Sequence, residues 1–310
     1  MSNKKIKGAF FTLLGGACWG LSGSMGQYLF TVQGMDSRWL VPIRLGLAGI
    51  LMLIFALWRL GPDMVMRPWK TKKSAVIMLV YGLAGVSACQ FFYFLTIQLS
   101  SAGIGTILQD LSPITILLVE CLLDRRKPKG LEIISLFFAI GGVFLLTTHG
   151  DPRNMAVSGM ALLTGVISAL CVTVYNVVAE RTQPDTPVII MQGWSFLMGG
   201  ALFSLLFRPW TFHYVPTAAG YFGIAFVVIV GNVMAFTFYI QGVRYIGAEK
   251  GILFGFSEPV TAALITFFLL GSKFTVWDFL GFAAIFIMIV LLSHSTAKEK
   301  EAEPMNYGGM

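Results

Sequence analysis

Charge is the scarcest property of this sequence. Only 12% of its 310 residues are Asp, Glu, Lys or Arg, against roughly a quarter in a soluble domain. So few charges exclude an ordinary water-facing surface. Histidine is scarcer still, with His149, His213 and His294 the full set, and no HExxH metal motif can be written from them. Four cysteines, Cys18, Cys89, Cys121 and Cys171, show no CxxC spacing and fall in apolar stretches, so they read as small core residues, not disulfides or metal ligands. No GxxxxGK[ST] phosphate loop occurs, which removes an ATP motor at the level of motif. Neither cofactor nor metal is implied. The net charge of +7 forms no basic patch interleaved with aromatics, so nucleic acid is not an expected partner.

Apolar residues are what the chain has instead: 56% are hydrophobic and the mean hydropathy is +0.77. The expected solvent is a lipid bilayer. Crossing one takes about 20 apolar residues as a helix, and ten stretches qualify, near 8–30, 38–58, 74–97, 100–123, 130–149, 157–179, 187–207, 217–243, 247–270 and 275–294. They do not alternate in ten-residue units as barrel strands do, so they predict helices, in which each backbone group finds its partner inside the segment. The first follows Lys4, Lys5 and Lys7 but is too long for a signal peptide's apolar region, and it reads as a retained first helix. The expected fold class is an all-α polytopic membrane protein with ten transmembrane helices. Residues 295–310, STAKEKEAEPMNYGGM, are expected to be a disordered cytoplasmic tail.

Basic residues set the orientation. With the N-terminus inside, 17 Lys and Arg fall in inner segments and four, Arg38, Arg153, Arg208 and Lys273, in outer loops. This bias places both termini in the cytoplasm and the chain in the cytoplasmic membrane. The longest inner link, 59–73, reads as a surface segment on anionic lipid, and Trp39, Trp58, Trp69 and Trp210 as interfacial anchors.

The chain also repeats itself. A shift of 146 residues matches Gly85 to Gly231, Phe92 to Phe238, Tyr93 to Tyr239, Ala102 to Ala248, Gly105 to Gly251, Pro113 to Pro259 and Thr115 to Thr261, seven identities in 31 positions. Five helices per copy make the second copy enter the membrane from the opposite side. Inverted repeats of this kind characterise secondary transporters, whose substrate site lies near the midplane between the copies. The expected units are 1–150, with helices 1–5, and 151–294, with helices 6–10.

The two five-helix halves, the run SPITILLVECLL at 112–123 and its stronger copy SEPVTAALITFFLLG at 257–271 resemble paired EamA domains of the drug/metabolite transporter superfamily. The most specific piece is GAEKGILFGFSEPVTAALITFFLLG, with its Glu258-Pro259 pair and small residues Gly247, Ala248 and Gly251. Family members often carry Gly-Glu after this helix in each half. Here Asp124-Arg125 and Gly271-Ser272 stand there, so no role is transferred to those positions. The resemblance implies transport of amino acids and related metabolites, commonly outward.

Glu258 is the residue the lipid setting makes most conspicuous. A charge at the midplane costs roughly 2.5 to 3.5 kcal/mol on insertion scales, so it must face protein or water, and it must be neutral there or be neutralised by a cation. Either behaviour suits a residue that binds a proton or substrate on one side and releases it on the other, and proton coupling enters as a possibility. Pro113 and Pro259 mark helix breaks, since proline cannot donate to the ladder. Asp110 brings a second acid to similar depth. Arg44, in the second span, is a counter-ion either for Asp110 or for a substrate carboxylate. Gln90 and Tyr93 share a face of the third span, Asn232 and Tyr239 lie two turns apart in the eighth, and Tyr175 precedes Asn176 in the sixth. With Trp19 and Trp194 they complete the expected substrate-binding set. Rings around one acid also suit a quaternary ammonium such as choline, and that cargo, moving inward, is the alternative.

Gly20-Leu21-Ser22-Gly23 matches the GxSG pattern of intramembrane serine proteases, but the three histidines lie at span ends or in a loop, away from the depth a serine–histidine dyad needs. An enzyme is therefore not expected. A channel is a distant third class. The expected partners are a small-molecule substrate and the bilayer, and nothing in the sequence sets an oligomeric state.

Overall fold

A computed structural model describes residues 3–151, 156–182, 186–246, 251 and 254–302. They form helices and no strand. We label the main ones α1 (Asn3–Thr31), α2 (Ser37–Leu60), α3 (Lys72–Leu99), α4 (Ala102–Gln109), α5 (Ser112–Leu123), α6 (Gly130–Thr148), α7 (Gly159–Thr182), α8 (Val188–Phe207), α9 (Ala218–Ile246), α10 (Ser257–Phe268) and α11 (Val276–Ala302). Several starts are set by a short polar side chain that accepts a free first-turn amide: Asp36 from Arg38 for α2, Thr71 from Ser74 for α3, Ser101 from Ile104 for α4 and Thr217 from Gly220 for α9.

Among the described residues seven helical segments are long and apolar enough to cross a bilayer, Ala102–Leu123 counting as one, while Ser257–Phe268 and Val276–Leu292 are shorter apolar runs. Helix α1 is long enough, with 29 residues, yet is not among the seven. Gly8, Gly15, Gly16, Gly20, Gly23 and Gly26, with Thr12, Ser22, Ser24 and Gln27, dilute its hydropathy. Its place explains this composition. Helix α1 runs through the middle of the bundle against α3, α4, α9 and α10, where a helix must be thin more than oily. A Cβ on Gly20 would lie 2.9 Å from Ala262 N and one on Gly23 would lie 2.6 Å from Tyr93 Oη.

The helix pairings have an internal symmetry. Helix α1 packs on α9 and α10, as α7 packs on α3 and on α4 and α5; α2 packs on α8, α6 on α11 and α4 on α10. Exchanging α1 with α7, α2 with α8, α3 with α9, α4 and α5 with α10, and α6 with α11 leaves this set unchanged. Two backbone irregularities obey the same exchange. Helices α3 and α9 are π-helical over Val80–Ser87 and Val227–Met234. The helix is interrupted at Asp110 and Leu111 and again at Phe256, positions 146 residues apart at their first members. Pro113 therefore stands in the first turn of α5 and Pro259 in the first turn of α10, where no amide donor is needed. They start helices instead of bending them.

Three expectations about the periphery change. The segment 295–302, expected to be disordered, continues α11 to Ala302, because Ala, Lys and Glu are strong helix formers once a helix feeds into them; 303–310 lie outside the described residues. The link after α2 turns back onto the protein, where Trp194 Nε1 donates to Val65 O at 2.9 Å and Trp69 meets Trp194 edge to face at 5.3 Å. Trp39 is buried against Tyr214, 5.1 Å between ring centres, whereas Trp58 and Trp210 are 76% and 67% exposed. Gly247 and Ala248 fall outside the described residues. At the far ends of α6 and α11, His149 Nε2 meets Asp278 Oδ1 at 3.0 Å.

Candidate functional site

A cavity of about 110 Å³ lies inside the bundle, lined by Trp19, Arg44, Val86, Cys89, Gln90, Tyr93, Gln109, Tyr175, Gln192, Gly231, Asn232, Phe236 and Glu258. Helices α3 and α9 face it through corresponding positions: Val86 matches Asn232 and Gln90 matches Phe236 under the 146-residue shift. Val86, Gly231 and Asn232 belong to the π-helical stretches, a rare backbone form that is frequent at functional sites.

One wall is acidic. Glu258, in the first turn of α10, accepts from Tyr93 Oη at 3.4 Å. Tyr93 Oη is also 2.9 Å from Thr106 Oγ1, which donates to Ala102 O at 2.9 Å. Gln109 and Cys89 continue the lining: Gln109 Oε1 accepts from Ser168 Oγ behind it at 2.8 Å and from Cys89 Sγ at 3.4 Å.

Another wall is cationic. Arg44 is 1% exposed; it donates from Nη2 to Gln90 Oε1 and its guanidinium carbon sits 3.6 Å from the centre of the Phe94 ring. Among the described residues no carboxylate lies within ion-pair distance, and Nε has no hydrogen-bond partner. A desolvated cation on a ring face gains about 2 kcal/mol and a hydrogen bond to a charged group about 1.5 to 3 kcal/mol. Leaving a buried charge unpaired costs roughly 3 to 5 kcal/mol. The two contacts hold Arg44 in place without neutralising it.

The EamA-like transporter family matches residues 6–148 and again 159–294. The chain belongs to that family. It is similar to the uncharacterized inner membrane transporter YicL of Salmonella typhimurium, 29% identical over 296 residues covering 96% of this chain and 98% of that protein. It is also similar to the uncharacterized transporter YyaM of Bacillus subtilis, 26% identical over 265 residues covering 81% and 82% respectively. A solved crystal structure shares the fold with a TM-score of 0.61 at 17% identity, covering 98% of this chain and all of that one. Family and apolar spans together make the protein a multi-pass membrane protein. The family is one of transporters, not enzymes, and Ser22 of the GxSG pattern packs against Gly231.

Within this EamA-like fold, Glu258, Tyr93, Gln90, Asn232, Trp19, Tyr175 and Arg44 all reach the cavity. Tyr239, Asn176, Trp194, Asp110 and the two prolines do not line it. Tyr239 stands behind Trp19, 5.0 Å between ring centres. Asn176 Nδ2 donates back to Val172 O of its own helix at 2.8 Å, and Trp194 is held at the inter-helix link by Val65. The Arg44–Asp110 pair does not form: Asp110, at the interruption after α4, has a buried Oδ2 with no partner. Sequence reasoning missed Gln192, whose Nε2 donates to Tyr81 Oη at 3.2 Å while its Oε1 is buried without a partner. Its signal was an amide in the apolar run VIIMQGW.

Proposed function

We propose that this protein is a secondary transporter that moves a small metabolite, an amino acid or related compound, across the cytoplasmic membrane by alternating access. The unit 1–150 and the unit 151–294 form inverted repeats, ten crossings in all, with both termini in the cytoplasm. The observation that carries the reading is the cavity itself, where Tyr93 from the middle of α3 and Glu258 just after the interruption at Phe256, 165 positions apart, meet over a polar space. An alternating-access site needs groups from both repeats around one ligand. The symmetric helix pairing and the distribution of basic residues support the same reading, as do the relatives named as inner membrane transporters.

Glu258, Tyr93, Gln90, Asn232, Trp19 and Tyr175 contact the substrate, and Arg44 supplies a positive charge. Asp110 acts in coupling from behind the wall, and proton movement through Glu258 drives turnover. Tyr239 supports Trp19. Counterflow in liposomes reconstituted with the purified protein tests the proposal. Vesicles preloaded with unlabelled amino acids should accumulate the labelled one, and Glu258→Gln should abolish this. No counterflow with any amino acid or organic cation would sink the transport reading.

One observation favours a second cargo. Trp19, Tyr93, Tyr175 and Phe236 line the same cavity as Glu258, an arrangement that also suits a quaternary ammonium. Choline counterflow, kept in Tyr93→Phe and lost in Tyr93→Leu, would favour that cargo.

A further inference from the structure

We infer that Arg44 is the specificity-determining residue of the cavity and that it requires a free carboxylate on the ligand. The inference rests on the transporter reading above and narrows it to compact zwitterions. Seven buried polar side-chain atoms lack a partner among the described residues, and three of them, Arg44 Nε, Asn232 Nδ2 and Gln192 Oε1, belong to residues lining this one cavity. Buried polar atoms are ordinarily satisfied. Their concentration around an internal space means that the missing partners come from whatever enters it.

The chemistry of the three atoms sorts them. Arg44 Nε and Asn232 Nδ2 are donors, and Gln192 Oε1 is an acceptor. The donors call for an acceptor-rich group, and one of them is a guanidinium, whose planar fork fits a carboxylate. The acceptors Gln192 and Glu258 call for a donor-rich group, which an ammonium supplies. A ligand with both ends, small enough for about 110 Å³, satisfies every orphan and pairs the buried cation that no described residue pairs. A quaternary ammonium group satisfies none of the three, since it neither accepts nor donates; choline's single hydroxyl leaves the guanidinium without an anion, and its charge would add to that of Arg44.

The test uses the full-length protein in detergent and in liposomes. The probes are the common L-amino acids, their methyl esters, the corresponding carboxylate-free amines, and choline. At least one free amino acid is expected to raise the melting temperature of the wild-type protein, while its methyl ester and its amine do not at the same concentration. Arg44→Lys keeps a charge but loses the fork and should weaken that ligand about tenfold or more; Asn232→Ala should weaken it by less. Equal stabilisation by ester and acid, stabilisation by choline that survives Arg44→Gln, or no shift with any carboxylate would overturn the assignment. The ester comparison needs no variant, so a poorly folded Arg44→Gln leaves the question decidable. Counterflow separates the two levels. A carboxylate-free cation that is carried across overturns the Arg44 assignment alone, whereas a carboxylate that binds while no probe crosses overturns the transport reading alone.

Discussion

Tyr93 and Glu258 share a single proton's worth of hydrogen bonding: Oη lies 3.4 Å from Oε1 and 2.9 Å from Thr106 Oγ1. Thr106 Oγ1 also lies 2.9 Å from Ala102 O, and while it donates there it accepts from Tyr93. When Glu258 is ionised, Tyr93 donates to it. When Glu258 carries a proton it donates to Tyr93, which turns to Thr106. The hydroxyl thus links the acid to α4.

Removing either end should therefore have separable effects. Glu258→Gln is expected to abolish coupled transport and flatten any remaining dependence of rate on pH, because an amide does not titrate. Tyr93→Phe should retain a pH dependence but slow turnover about tenfold, the equivalent of one lost hydrogen bond to a charged group. Rates measured in liposomes from mildly acidic to mildly alkaline buffer distinguish them. Wild-type rates in a folded Glu258→Gln protein would count against this link.

Gln27 bridges the start of α4 and the link after α10. Its Oε1 accepts from Ala102 N at 2.7 Å and its Nε2 donates to Ser272 Oγ at 3.2 Å. Gln27→Leu leaves a buried amide unsatisfied, at a cost of about 1 to 3 kcal/mol. The expected outcome is a lower melting temperature and faster labelling of a cysteine placed at the buried Ser101 by an impermeant thiol reagent. Unchanged labelling would show that Gln27 does not close this end.

Gly20 faces the backbone of α10, where a Cβ would lie 2.9 Å from Ala262 N. Gly20→Val should separate α1 from α10 and destabilise the fold by about 1 to 3 kcal/mol. A control at Gly46, where a Cβ would meet nothing within 4 Å, should be close to neutral. Thermal melts of the two purified variants make the comparison, and equal stability would count against close approach at Gly20.

Orientation is open to a direct check. Val32 is 63% exposed just beyond α1, and Lys72 is exposed at the start of α3. In a cysteine-free background, Val32→Cys should react with an impermeant reagent in intact cells and Lys72→Cys only after lysis. The reverse pattern would invert the assigned topology.

The long apolar runs made the helical fold readable, since lipid leaves the backbone few alternatives. Glu258 and Arg44 were legible for the same reason, being expensive anywhere but at a polar interior. Packing geometry was not legible. Trp194 and Tyr93 look alike as aromatics within spans, yet one caps a link at Val65 and the other reaches the cavity, because which face of a helix turns inward depends on its neighbours. Gln192 was overlooked as one amide in an oily run. The π-helical turns left no trace, since residues such as Val80 and Val227 fit either form of helix. Residues 295–302 were misread because polarity was taken as disorder, although helix propensity along a continuing helix governs them.

Those π-helical turns have a mechanical consequence. Each pairs backbone groups five residues apart instead of four, so α3 and α9 each hold slack within a continuous hydrogen-bonded rod. Moving that slack by one turn re-aims the side chains it passes by about 100° while the ladder stays closed. Gln90 and Phe236, three and two residues beyond the two stretches, line the cavity and are the side chains such a shift would re-aim, so its walls could turn without either helix breaking.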